Sequence, residues 1–481
     1  MPHRLKGRAL TKTVVINAFR SHKIFLILLS ISFFYLAFFA VRRHTSFHST
    51  GLDLAVFDQV FWNTIHGRFW EFSLELERAV PHSYLANHFS PVLLFLVPIY
   101  YLFPSPATLL TAQSLALVVG AIPIYLFALK ILKSKNKAAF VTIVYFLSPF
   151  VQNINLYNFH EIAFFIPLFG FCLLFLFEER WVFFWFFLIL SLIVKEEVGL
   201  IGVGLGVFLI MRKKIGLGVL VSAISLAWSI AAVKLVIPHF SQGDYKFATY
   251  RYQDFGTTTN EIIKNIILNP VKDFVVLAKP RKLYFLLVLF SSTGFVSLLG
   301  GTILILLIIP LLYLLLSSYQ SHYSYTAQYS AILIPILFFA FVVGLKRLEP
   351  FRLKKIIYLL ITVIVLLGTT LFGALPFSRK FDGERFKYSG RYNNFEALKT
   401  KIPPDVSLAA SDFVITHLSQ RRFLEFYTDE TTAGYVFLDV ASVNFEQNVQ
   451  ERQVESLKNR GYQVVDCKEG LCLLAKPINK N

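Results

Sequence analysis

The feature that most constrains this chain is a succession of long apolar runs joined by short polar connections. They lie roughly at 24–41, 107–130, 138–151, 161–177, 181–194, 197–211, 215–237, 283–299, 300–316, 328–345 and 355–375. Crossing about 30 Å of hydrocarbon takes about 20 helical residues. The runs therefore predict an all-α polytopic membrane bundle of about eleven transmembrane helices. Of the 481 residues, 56% are hydrophobic and 16% charged, against about 45–50% and about 25% in ordinary soluble domains. A lipid bilayer is the partner that solvates such an excess.

A basic N-terminus, 1–23, leads into the transmembrane domain, 24–375. Residues 376–481 turn polar, starting with the turn Ile402-Pro403-Pro404-Asp405. They read as strands near Val406–Ala409, Gly434–Asp439 and Leu471–Ala475, with a helix near Asn448–Asn459. That alternation predicts a small α/β soluble domain. Cys172 lies in an apolar run, whereas Cys467 and Cys472 flank a Lys-Glu-Gly turn and suit a hairpin disulfide in an oxidising compartment.

A formal charge of +18 would suggest nucleic acid in a soluble protein. Here the Lys and Arg residues cluster between apolar runs, as orientation in a membrane requires, so no nucleic-acid partner is expected. With the N-terminus cytoplasmic, alternation puts Lys130–Lys137, Arg180, Arg212–Lys214 and Lys346–Lys355 on the same side. This solution demands that the apolar piece 89–103 does not cross. The other, extracytoplasmic side of the cell membrane then carries loops 42–106 and 238–282 and the domain 376–481.

The suggestive polar residues fall on that second side. Ionisable groups at bilayer depth cost a few kcal/mol each and point to function. Asp53 and Asp58 interrupt the stretch Gly51-Leu52-Asp53-Leu54-Ala55-Val56-Phe57-Asp58-Gln59. An apolar wall raises a carboxyl's pKa and suits it to general-base work, while a helix cap or a solvated interface residue is the plainer alternative. His88 and His160 suit a phosphate or a proton. Lys195-Glu196-Glu197 breaks an otherwise apolar stretch of about thirty residues, which suits Lys195 to an anionic substrate and Glu196 to base or metal chemistry. His322-Tyr323 is similar. None of these has the spacing of a zinc motif, a P-loop or a dinucleotide fold.

In Gly51–Gln59 and His88-Phe89-Ser90-Pro91 the chain resembles a prokaryotic membrane family known as domain of unknown function 2079. Phe159-His160-Glu161, Lys195–Leu200, Glu261-Ile262-Ile263, Asn269-Pro270, His322-Tyr323, Ile402–Asp405 and His417–Arg421 carry the likeness further. It covers nearly the whole chain from about residue 25. That family in turn resembles the type C membrane glycosyltransferases, which take a sugar from a polyprenyl-phosphate carrier at the outer face.

The resemblance implies an acidic base in the first outer loop: Asp53, or Asp58 if the register differs. Relatives carry an adjacent acidic pair there, whereas these two aspartates are five apart. Lys195, His88, His160, His322 and Tyr323 would bind the donor phosphate or substrate. Glu196 and Glu161 are the ligands available to an optional divalent metal, magnesium or manganese. The acceptor is left unnamed. A transporter or flippase of a lipid-linked or anionic solute, and a non-catalytic membrane scaffold, are the rival readings.

Overall fold

A computed structural model describes residues 22–75, 80–243, 245–387, 390–439 and 447–477. All but the last two residues of the expected basic N-terminus lie outside the described residues. Among those described, four helices are long and apolar enough to cross a membrane: Lys23–Thr45, Pro106–Leu132, Ile215–Ser241 and Lys354–Phe372. The pair Lys135–Leu147 and Pro149–Leu156, bent by 48°, makes a fifth if it is one span. About eleven crossings were expected; that count is not confirmed, because several of the runs form helices shorter than the runs themselves. The run 283–299 breaks where Gly294 and Phe295 adopt φ of +57° and +61°. The runs near 300 and 328 open as 3-10 turns, Gly301–Leu304 and Gln328–Ile332, before their helices begin. At 1.5 Å per residue, Trp181–Leu192 and Val198–Met211 fall short of a full crossing.

The helices carry outward apolar surface suited to lipid: Phe34, Val182 and Leu359 are 71%, 80% and 62% exposed. Segment 89–103 forms two short turns, Pro91–Leu96 and Val97–Leu102, again too short to cross.

Small residues bring two central helices together. Val198–Met211 lies against Ile215–Ile230, and a Cβ added at Gly202 or Gly206 would sit 2.2 Å or 2.0 Å from the hydroxyl of Ser225 or Ser222. Such spacing of glycines lets helix backbones approach closely. It fixes the point at which Lys195-Glu196-Glu197 enters the bundle, immediately before Val198.

The first loop carries a two-stranded ribbon, β1 (Glu71–Phe72) and β2 (His82–Ser83). The C-terminal region supplies β3 (Leu408–Ala410), β4 (Leu424–Phe426), β5 (Tyr435–Asp439), β6 (Gln463–Lys468) and β7 (Leu471–Ala475), which form a five-stranded mixed sheet in the order β4-β3-β5-β7-β6. Here β3 runs parallel to β4 and β5, and β7 antiparallel to β5 and β6. The period-2 alternation of strand side chains divides the sheet's residues between two cores. Ala409, Val436, Leu438, Cys472 and Leu474 pack with Leu457 and Tyr462. Leu408, Ala410, Phe437, Leu471 and Leu473 share a core with Leu54, Phe57, Phe61 and Trp70 of the first loop. The domain is thus packed onto that loop. Cys467 and Cys472 face each other across β6–β7 and are disulfide-bonded, while Cys172 is free and buried.

Candidate functional site

A cavity of about 530 Å³ opens between the first loop, the Lys195 segment and the loop that starts near Ser241. Asp53, His88, His160, Glu161 and Lys195 line it together, joined by Lys246 and Arg251. Five of the residues singled out in the sequence, from four separate segments, therefore meet. Asp58, Glu196, His322 and Tyr323 do not line it.

Asp53 rides on a π-helical turn, Gly51–Ala55, that continues into the helix Val56–Ile65. Its Oδ1 lies 3.1 Å from His160 Nε2. Asn158 supports the same carboxylate and hydrogen-bonds Thr50 at 2.8 Å. Asn158 adopts φ +111°, a strained conformation for a non-glycine residue and one that concentrates at functional sites. Burial works to raise the Asp53 carboxyl, but His160, Asn158 and Lys195 together outweigh it and hold it below the ordinary value. For Asp53 the expectation of a raised pKa is thereby corrected. The apolar wall is there, but the partners win, and Asp53 stays a carboxylate at neutral pH.

Lys195 and its neighbours form the cavity's buried electrostatic floor. Lys195 Nζ reaches Glu161 Oε1 at 2.8 Å. Burial disfavours its charge, but Glu161, Glu197 and Glu196 override this and raise its pKa. Glu161 Oε2 is buried with no hydrogen-bond partner. Glu196 stands behind the lining: it holds His88 Nδ1 at 2.8 Å, the Phe89 amide at 3.1 Å and the Tyr245 hydroxyl at 2.8 Å. Burial works to raise its carboxyl, but His88 and Lys195 outweigh this and hold it below the usual carboxylate range. Glu196 thus orients His88, whose ring also stacks on Phe247 at 4.7 Å.

Arg251 was not among the residues drawn from the sequence, since one arginine in a polar loop carries no local signal. Its guanidinium lies between Phe247 and Tyr329, 4.8 Å and 5.4 Å from the ring centroids, and 3.8 Å from Glu197. Aromatic faces stabilise a desolvated guanidinium in such a sandwich.

Asp58 and His322 have other surroundings. Asp58 is fully buried and accepts hydrogen bonds from Tyr100 (2.5 Å) and from Ser419 of the C-terminal domain (2.7 Å). His322 is buried beside Tyr329, with neither ring nitrogen hydrogen-bonded. Burial, then Arg251 and Lys195, lower its pKa far below the usual value, so it is a neutral ring and not a cation for phosphate. Tyr323 instead lies beneath the ammonium of Lys282, at 4.9 Å.

No group of three or more His, Cys, Asp or Glu side chains that could hold a metal occurs among the described residues. Glu161 and Glu196 are paired with Lys195 and His88, so they do not fit a divalent ion as they stand.

A family described as predicted membrane protein (DUF2079) matches residues 43–473. The chain belongs to that family. Its apolar helices and the exposed apolar surface of the bundle agree with that description. Among solved structures, the crystal structure of ArnT from Cupriavidus metallidurans in the apo state is similar over 95% of this chain and 98% of that one, at 12% identity and a TM-score of 0.47. No curated protein matches.

Burial of Asp58 against the C-terminal domain is expected to make folding stability depend on pH. Burial raises the Asp58 carboxyl from 3.8 to about 6, against the opposing hydrogen bonds from Tyr100 and Ser419. Between those values the folded chain binds a proton that the unfolded chain does not, so stability is fully present below about 4 and falls as pH rises through about 6, by about 3 kcal/mol. Thermal unfolding of wild type and Asp58→Asn should show the wild type gaining on the variant as pH drops from about 7 to about 4.5. A flat difference contradicts the assignment.

Proposed function

We propose that the protein is a membrane glycosyltransferase that takes a sugar from a polyprenyl-phosphate donor at the extracytoplasmic face. The observation that carries this reading is that a carboxylate held ionised, Asp53, shares one cavity with buried cations, Lys195 and Arg251. The chemistry needs those two parts. An acceptor hydroxyl gives its proton to Asp53 as its oxygen attacks the anomeric carbon. The bond from that carbon to the phosphate oxygen breaks, and the lipid phosphate leaves with the electron pair. Lys195, Arg251 and His88 meet the charge that grows on the phosphate, the transition-state stabilisation a preorganised site provides.

A low Asp53 pKa does not prevent this role, because the acceptor hydroxyl becomes acidic only as its new bond forms. The unpartnered Glu161 Oε2 supports a hydroxyl-rich ligand, since a sugar hydroxyl can donate to it. The exposed apolar flanks of the bundle suit a prenyl tail lying in lipid beside the cavity.

The test uses the full chain in lipid nanodiscs with radiolabelled polyprenyl-phosphate sugars and a hydroxyl acceptor panel. Label passing from lipid to a water-soluble or second lipid product supports the reading. Movement of intact labelled donor across proteoliposome membranes, without transfer, would replace it with transport.

A further inference from the structure

The turn that carries Asp53 is not held by the membrane helices alone. The Gly51 amide, at its start, donates to Asp412 Oδ1 at 2.7 Å, and Asp412 belongs to the C-terminal domain. The approach is at backbone distance: a Cβ on Gly51 would lie 2.3 Å from Ile415 Cγ2 and 2.7 Å from Phe426 Cε1. Further bonds join the same two bodies. Gln59 donates to the Arg421 carbonyl at 2.8 Å, and Ser419 donates to Asp58 at 2.7 Å. Ser73, one residue beyond the β-ribbon strand β1 (Glu71–Phe72), donates to the Leu424 carbonyl at 2.7 Å and accepts from the Leu424 amide at 3.0 Å.

Two stretches of cavity wall are tied in this way, because Asp53 and Val56 lie on one of these first-loop segments and Phe72 and Leu74 on the other. Burial raises the Asp412 carboxyl, the Gly51 amide opposes this, and the Asp53 charge raises it further. The two carboxylates therefore sense each other.

We propose that the C-terminal domain braces the first-loop wall of the cavity from behind, and that Asp412 is a positioning residue that sets the place of Asp53 through the Gly51 amide. This role rests on the transferase reading for its consequence in catalysis, but its geometry can be tested without it. A domain that merely recruits an acceptor needs no bond to the turn. A positioning domain must hold that turn against the bilayer bundle, and among the described residues Asp412 is the side chain that accepts a hydrogen bond from the turn's first amide.

The test compares full-length wild type with Asp412→Asn, which keeps an accepting oxygen, and with Asp412→Leu and Asp412→Ser, which cannot reach the amide. In the transfer assay the Leu and Ser variants should lose about tenfold to a hundredfold in kcat, the scale of a slightly misplaced catalytic group. Donor KM should stay within about threefold and the Asn variant close to wild type, since an interaction that only places the reacting group acts on kcat. A second readout needs no turnover. In an Asp53→Cys background, Cys172 is buried and Cys467 and Cys472 are bonded, so a charged thiol reagent reports position 53. Adding Asp412→Ser should change the labelling rate severalfold, and adding Asp412→Asn should not. Equal labelling rates in all backgrounds, or an Asn variant as impaired as the Ser variant, overturns the proposal. Absence of transfer by wild type, with labelling that still follows Asp412, would remove the transferase reading and leave the positioning contact standing.

Discussion

Replacing Asp53 by asparagine is expected to cut sugar transfer by about a hundredfold to ten-thousandfold, the usual contribution of a positioned general base. Asparagine matches the carboxylate in shape and still offers an oxygen to His160, so the turn Gly51–Ala55 should keep its fold. What disappears is the ability to take the acceptor's proton. The loss should fall on kcat, with donor KM little changed, because Lys195 and Arg251 remain to bind the phosphate. The wild-type pH profile follows from the same contacts. His160, Asn158 and Lys195 outweigh burial and hold the Asp53 carboxyl low, so its acid limb lies below pH 3.8 and activity falls only as pH drops through that lowered value. An Asp53→Asn variant with wild-type kcat removes this residue from the mechanism.

Replacing Lys195 by methionine is expected to destabilise the fold by about 3–5 kcal/mol, the usual cost of breaking a buried ion pair from one side. Methionine fills similar volume, so the effect is electrostatic. Glu161 loses its partner at 2.8 Å, and Glu196 and Glu197 lose a compensating charge. In wild type Glu161 and Glu196 sit below their ordinary range. Their pairing therefore contributes stability above that range and loses it as pH falls. In the variant the unpaired carboxyls take up protons instead. The gap between wild type and Lys195→Met, read by thermal unfolding in detergent, should narrow from neutral pH towards about 4. A gap that stays constant with pH would mean that packing, and not charge, is what Lys195 supplies.

Much of the bundle was legible because hydrophobicity is a local property, readable in any window of the chain. Where the apolar runs end in 3-10 turns or left-handed breaks, as at Gly294-Phe295, composition gives no warning, and the helices are shorter than the runs that announced them. Lys195 and its neighbours stood out because three charges in an apolar run have few explanations. Arg251 and Lys246 did not, because basic residues in a polar loop look like any solvated surface. The two aspartates of the first loop look alike in sequence. They part company only through distant residues: His160 and Asn158 meet Asp53, while Tyr100 and Ser419 enclose Asp58. Gly51 likewise reads as a flexible turn residue until Asp412, 361 positions later, is placed against its amide.

The central claim is that these groups form one chamber for a lipid phosphate. The most direct measurement is an electron cryomicroscopy structure of the chain in nanodiscs with a polyprenyl monophosphate. The account predicts phosphate density in the cavity within hydrogen-bonding or ion-pair distance of Lys195 or Arg251, with the first prenyl units running out towards lipid and open space left beside Asp53. Phosphate density seated elsewhere on the bundle, with the chamber holding only water, would contradict it.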